Sequence, residues 1–348
     1  MSIKKIAKLW GRKWLYLVEN YMTYTYIGFG VIDRGTNVLQ VRPTTICPLN
    51  CIFCSVDAGP YSRYRVAEFM VEYNTLINTI NEIIKYKGGG VEILIDTIGE
   101  GLTYPHLLKL VKELKKNPLI SSIALETHGA LLNKKTIDLL EEAGLDRINL
   151  SIDTLNPEKA RYLQGVEWYD VEKVKKLAEY IVKETNIDLH VTPIWIPGIN
   201  DEDVVEVVKW AYEIGAGKKW PPATIQKYNV HKYGRKIPGV NELSWNSFWK
   251  WIRGFEEKYG YRVSWSMEEW GMRRTRKYPC PYKKGDKIVV EVVAPGVFKG
   301  EYLGIDHSRN TVFAIIGRRI RIGNYYVVEV VENKDCLVIA KAIKQIHI

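Results

Sequence analysis

Residues 44–59 read TTICPLNCIFCSVDAG, and Cys47, Cys51 and Cys54 are three of the chain's five cysteines. Five is an odd number and three are grouped, which does not build a disulfide framework. Disulfides are also scarce where thiols are kept reduced. The expectation is therefore a reducing compartment and a metal or cluster held by this stretch. Its spacing is C-x3-C-x2-C. Zinc closes a tetrahedron of four ligands, often as two C-x2–4-C pairs. A fourth ligand would have to come from Cys280, Cys336 or one of six histidines, and none has partner-like spacing. A [4Fe–4S] cluster also takes four ligands, usually thiolates. Three on one short loop leave one iron free to bind something other than protein.

Outward from this loop the chain alternates strand and helix. Strand patterns at NVLQVR (37–42), 91–99, 122–129, 147–154, 188–198 and 223–229 are separated by helical patterns at 104–116, 134–144, about 170–185 and 201–215, with another at 245–260. About six βα units predict an α/β fold with a parallel sheet, open or curled into a partial (β/α)6 TIM-like barrel. Working residues in such sheets sit at the C-terminal strand ends, and the cysteine stretch follows the first strand.

Ile3, Ile6, Leu9, Trp10 and Trp14, with Lys4, Lys5, Lys8, Arg12 and Lys13 between them, predict a basic amphipathic helix over 3–20. A hairpin is expected over 25–42. After about residue 276 short β-branched runs are broken by Gly, Asn and Asp, which predicts a small all-β barrel. The expected organisation is a 1–36 extension, a 37–276 α/β body and a 277–348 barrel. Eight of the eleven tryptophans lie between 195 and 270, where the Trp249, Ile252 and Phe255 spacing is that of a packed helix.

The chain has 348 residues, net charge +10 and a pI near 9.1, which suits a polyanionic partner without proving one. Scarce glutamine leans toward a heat-adapted source. No apolar run reaches the length of a membrane span, and the basic N-terminus lacks a cleavage pattern. A cytoplasmic monomer is expected.

The C-x3-C-x2-C pattern with Phe53 before its last cysteine resembles the radical S-adenosylmethionine (radical SAM) superfamily, over about residues 38–270. The resemblance implies that the open iron chelates S-adenosylmethionine and that its reductive cleavage gives a 5′-deoxyadenosyl radical, which abstracts hydrogen. TIGEGLTYPHL resembles the family's Gly-Gly-Glu motif at Gly99 and Glu100, with Ile98 where a first glycine is usual; this implies that Glu100 holds the methionine ammonium. ETHG resembles a polar turn near the cofactor, although His128 also reads as an ordinary loop histidine. INLSIDTLNPEKARYLQG is similar to a strand of the cyclase that starts molybdopterin synthesis. Ser151 and Asp153 would share a face there and reach the ribose. IPGINDED resembles the adenine-contacting segment at Pro197, Gly198 and Asn200, where Asn200 could equally cap a helix. Phe53 would pack on adenine or lid the cluster.

Residues 283–314, KKGDKIVVEVVAPGVFKGEYLGIDHSRNTVFA, resemble a TRAM domain, a small RNA-binding β-barrel. That implies phosphate contacts from Lys283, Lys284, Lys299, Arg318, Arg319 and Arg321, and stacking by Tyr302, Tyr325 and Tyr326. Arg273 and Arg274 would meet the nucleic-acid backbone beside the last strand. Cys280 resembles the methyl-carrier cysteine of some RNA-methylating relatives, and reads otherwise as a structural thiol; Cys336 reads as strand core. No second cysteine cluster is visible. The implied function is radical modification of RNA, foremost tRNA, fed by a donor such as ferredoxin or flavodoxin. The alternatives are a cofactor- or peptide-maturing radical enzyme and an RNA-binding protein with a structural cluster.

Overall fold

A computed structural model describes residues 2–346. The first twenty residues form a hairpin in place of the expected helix. Trp10 and Gly11 both adopt positive φ, 50° and 66°, and turn the chain between Ser2–Leu9 (β1) and Lys13–Glu19 (β2), which pair antiparallel. Two left-handed residues at the centre of the segment break a right-handed helix. The burial also inverts the helical expectation: Lys13 is buried and Trp14 is exposed.

The next hairpin is observed, with Gly30–Asp33 (β3) antiparallel to Val38–Arg42 (β4). Ala67–Val71 (β5) then runs parallel to β2 and completes a three-stranded sheet. Tyr73–Lys87 (α1), Val91–Ile95 (β6), Leu107–Lys115 (α2), Ile120–Thr127 (β7), Lys134–Ala143 (α3) and Arg147–Leu150 (β8) follow. Pro157–Gln164 (α4), Val171–Glu184 (α5), Asp188–Val191 (β9), Ile194–Trp195 (β10), Asp201–Glu213 (α6), Gln226–Lys227 (β11) and Trp245–Tyr259 (α7) complete this part. The main sheet is open, in the order β3-β4-β6-β7-β8-β9, and parallel from β4 onward. β10 and β11 pair parallel as a separate two-stranded sheet, and a parallel bridge from Val191 to Ala223 joins the segment before β11 to β9.

The two faces of this sheet differ. Ile93, Ile95, Ile123, Leu125, Ile148 and Leu189 are fully buried under helices whose apolar residues recur every three or four positions, as Leu107, Leu110, Val111 and Leu114 do in α2. The alternate residues Gln40, Glu92, Glu126, Arg147, Asn149 and His190 line a cavity of about 360 Å³, which Val38, Leu94, Trp270 and Met272 also line. Gly144 ends α3 in a left-handed cap, as its position predicts. In α7 the buried residues are Phe248, Ile252 and Phe255, while Trp249 is exposed.

Lys287–Pro295 (β12), Glu301–Asp306 (β13), Thr311–Ile316 (β14), Tyr325–Glu332 (β15) and Ile339–Ile346 (β16) form a closed barrel in the order β12-β13-β14-β16-β15. Its interior has its own core around Phe313, Tyr326 and Val328. Its outer residues Val297, Leu303, Ile305 and Val312 belong to the main core. Val338 N–H donates to the Thr25 carbonyl (2.9 Å), Thr25 Oγ1 to the Val312 carbonyl (2.6 Å) and the Tyr26 hydroxyl to Glu301 (2.8 Å).

Cys280 and Cys336 form a disulfide, with Cα atoms 5.3 Å apart. Cys280 is therefore not a free thiol here, and this single bond is the one disulfide among the described residues. Reducing this bond should lower stability toward denaturant by about 2–4 kcal/mol. Cys280→Ala/Cys336→Ala should retain iron and S-adenosylmethionine cleavage; loss of cleavage would restore a catalytic role. Among the described residues no helix is long and apolar enough to cross a membrane.

Candidate active site

The three clustered thiols are free; Cys47 and Cys51 are buried and Cys54 half-buried. All three line one cavity of about 230 Å³, together with Phe53, Gly99, Glu100 and Ser151, which come from the loops after β4, β6 and β8. Burial pushes the Cys47 and Cys51 thiols up, and the neighbouring thiols add to it. Forming thiolates here is therefore unfavourable unless a cation offsets them. Among the described residues no three His, Cys, Asp or Glu side chains stand close enough together to hold a single metal ion. A second observation marks an incomplete polar wall: His128 Nδ1 is buried, lines the cavity and has no hydrogen-bond partner. Burial lowers this histidine to about 4, leaving it neutral. Three thiols on one loop beside a cavity with unused polar capacity fit a [4Fe–4S] cluster and a polar ligand.

Two arginines hold the cysteine loop. Glu68 is fully buried and receives Arg65 Nη2 (3.3 Å), Lys13 Nζ (3.5 Å) and the Thr45 hydroxyl (2.6 Å). Arg65 also donates to the carbonyls of Thr45 and Ile98 (3.1 Å each), joining the start of the cysteine loop to the loop after β6. Arg235 donates to the Cys51 carbonyl (2.8 Å) and to Asn50 Oδ1 (2.7 Å), and pairs with Asp57 (3.0 Å). Its own N–H donates to the Cys54 carbonyl (2.9 Å).

Gly99 lies against the same strap. A Cβ on it would stand 2.5 Å from the Thr45 carbonyl oxygen and closer still to that of Ile46. Both are backbone atoms, so the cysteine loop itself would have to move. Gly99→Ala should reduce S-adenosylmethionine cleavage about 100-fold, because misplacement of about 1 Å costs that much. Gly254→Ala, in α7 with open space around it, should leave cleavage intact and raise stability by about 0.5–1 kcal/mol. Cleavage by Gly99→Ala at the wild-type rate would remove the steric argument.

Glu100 is 1% exposed, and burial raises its carboxyl. It accepts the N–H groups of Leu102 (3.2 Å) and His128 (3.1 Å), while still facing the cavity. Asp153 does not join it. β8 ends at Leu150, so the strand alternation that paired Asp153 with Ser151 no longer applies. Asp153 accepts the Ile194 N–H (2.9 Å) and Gln164 Nε2 (3.0 Å), and burial raises it to about 7. Asn200 is also turned inward. Its amide donates to the carbonyls of Asp153 (3.1 Å) and Ile194 (2.8 Å), its oxygen accepts the Ile196 N–H (2.8 Å), and it makes no side-chain cap. Neither Asn200 nor Pro197 lines the cavity. Local bonding thus occupies the side chains of Asp153 and Asn200, while Ser151 lines the cavity.

On the surface, Arg273, Arg274, Lys283, Lys284, Lys299, Arg318, Arg319 and Arg321 are all exposed. Tyr302 and Tyr325 are half-buried, whereas Tyr326 is 5% exposed inside the barrel core and cannot stack on a base. The sequence reading missed Arg65 and Arg235, whose partners are far away in the chain. It also missed Asp96 and Glu126 in the cavity wall. Burial and the neighbouring Asp96 push Glu126 up to about 8.

Residues 41–211 match the family model described as the radical SAM superfamily. Over 97% of its length the chain is 34% identical to the uncharacterized protein MJ0103 of Methanocaldococcus jannaschii, covering 82% of that protein. It is 30% identical to the GTP 3′,8-cyclase of Syntrophomonas wolfei subsp. wolfei, across 63% of the chain and 59% of the cyclase. The chain thus spans little more than half of that cyclase. Streptococcus suis SuiB bound to S-adenosylmethionine superposes with a TM-score of 0.48 at 18% identity, over 70% of this chain and 51% of that one. Residues 41–211 therefore form a radical SAM superfamily domain with three free thiols at its cavity, and the cofactors that go with it are a [4Fe–4S] cluster and S-adenosylmethionine.

Proposed function

We propose that this protein uses radical SAM chemistry to modify RNA, foremost a nucleotide of tRNA. The observation that carries the reading is the set of exposed cations, Lys283, Lys284, Lys299, Arg318, Arg319 and Arg321, on a small barrel that shares the core of the α/β body. The barrel's likeness to a TRAM domain and the net charge of +10 support it, since basic surfaces track phosphates. Cys47, Cys51 and Cys54 would hold the cluster; Phe53, Gly99, Glu100 and Ser151 would line the S-adenosylmethionine site. When bound, the two cofactors supply one-electron cleavage of the sulfonium as the source of hydrogen abstraction. The chain's own part is to set the ligand: Glu100 offers an acceptor to the ammonium, and Phe53 keeps water from the thiols. A ferredoxin or flavodoxin would supply the electron.

The test is nucleoside mass spectrometry of tRNA from a strain lacking the gene, alongside 5′-deoxyadenosine formation by the reduced enzyme with and without tRNA. A missing modification and stimulation by tRNA are expected. An unchanged nucleoside profile would refute the reading. A second reading, a small nucleotide as substrate, is favoured by the cyclase relatives and by the cavity on the sheet face, where Gln40, Glu92, Arg147 and Asn149 stand; stimulation by GTP and not by tRNA would decide for it.

A further inference from the structure

A separate groove of about 610 Å³ lies on the outer side of the cysteine loop. Asn50, Ile52 and Asp57 face this groove, while Cys51, Phe53 and Cys54, between them in sequence, face the cofactor cavity. The same division recurs in a second segment, where His231 lines the cavity and Lys232 the groove. One residue of extended backbone spans about 3.5 Å, so a thin ridge separates the two spaces.

The groove wall is aromatic and cationic. Tyr61, Tyr64 and Tyr162 line it and are 65%, 42% and 57% exposed. Rings of this size are normally covered in a folded chain or used at a contact. Arg63, Lys232 and Lys236 stand among them, exposed and without a carboxylate partner among the described residues. The one acid in the wall, Asp57, is 1% exposed and already paired with Arg235. The groove's free charge is therefore positive throughout. Its wall also touches the C-terminal barrel: Lys299 N–H donates to the Tyr64 carbonyl (2.8 Å), and Phe298 stacks on Tyr233, next to Lys232, with ring centres 5.0 Å apart. Unpaired cations alternating with exposed rings are the chemistry that binds single-stranded nucleic acid, with phosphates on the cations and bases on the rings.

We infer that this groove seats a single-stranded RNA segment flanking the reacting nucleotide. The segment would run from the barrel at Lys299 along the back of the cysteine loop, and the target would cross the ridge at residues 231–232 into the cavity. The inference rests on the RNA reading above and adds the surface that delivers the substrate.

The test measures binding of a short single-stranded oligoribonucleotide to the full chain across a salt series. Thiouridine cross-linking then maps the contacted peptides. Lys232→Gln/Lys236→Gln should flatten the slope of log affinity against log salt by about 1.4, at roughly 0.7 per phosphate. Tyr61→Ala and Tyr162→Ala should each weaken binding about fivefold to 150-fold, the range for one stacked base. These side chains are exposed, so unfolding transitions should be unchanged. Cross-links should fall within residues 57–64 and 232–238. Wild-type binding by all three variants, with cross-links confined to residues 283–321, would overturn the groove and leave the RNA reading standing. A wild-type protein that binds no RNA strand at any salt would overturn both.

Discussion

Replacing Cys51 by alanine should leave the protein without iron after anaerobic reconstitution and reduce S-adenosylmethionine cleavage to background. The reason is the distribution of thiols. Of five cysteines, three are free and line one cavity, and the other two are tied to each other at the C-terminal barrel. No spare thiol stands ready to replace a lost ligand. Two remaining thiols in a site where burial already resists ionisation would face the desolvation cost with less iron to offset it. Iron content and 5′-deoxyadenosine yield under dithionite are the measurements. Iron at the wild-type level in Cys51→Ala would mean that the cluster sits elsewhere.

Glu68→Gln should destabilise the fold by about 3–5 kcal/mol, the usual cost of leaving buried charge without its partner. Glu68 is the common acceptor for Lys13 and Arg65, whose side chains are 6% and 0% exposed. Removing its charge strands both cations, and burial already lowers Lys13. Lys13→Met should cost less, because Glu68 then still neutralises Arg65. Denaturant unfolding of the two variants gives the comparison, and an equal or reversed order would show that the network is not held by its charge. Cleavage activity should fall with stability in Glu68→Gln, since Arg65 and Thr45 join this network to the cysteine loop.

Features carried by short-range pattern were legible in the sequence. The cysteine spacing, the alternation that gives the parallel sheet, the helix stop at Gly144 and the break before the C-terminal barrel each depend on residues a few positions apart. Features decided by distant neighbours were not. Arg235 meets Cys51 from 184 positions away and Arg65 crosses to Ile98; neither lies in a motif. The Cys280–Cys336 pair has no spacing signature at a separation of 56. The N-terminal hairpin was misread because alternating lysines and apolar residues fit two periods, and only the turn at Trp10–Gly11 selects between them. Asp153 and Asn200 show a further limit. A motif match locates a loop, but a side chain there turns inward when backbone groups compete for it.

The bond from Thr25 to Val312 spans 287 positions, and it sets the order in which the protein can be completed. At synthesis rates of about 5–20 residues per second, roughly 15–60 s pass between the emergence of its two ends. The segment around residues 22–26 meets Val31 and Thr79 early but waits through that interval for its partners in the C-terminal barrel, a delay typical of contacts distant in sequence. A ribosome stalled before the last strands would hold an α/β body with an open apolar side, ready to bind a chaperone or to aggregate.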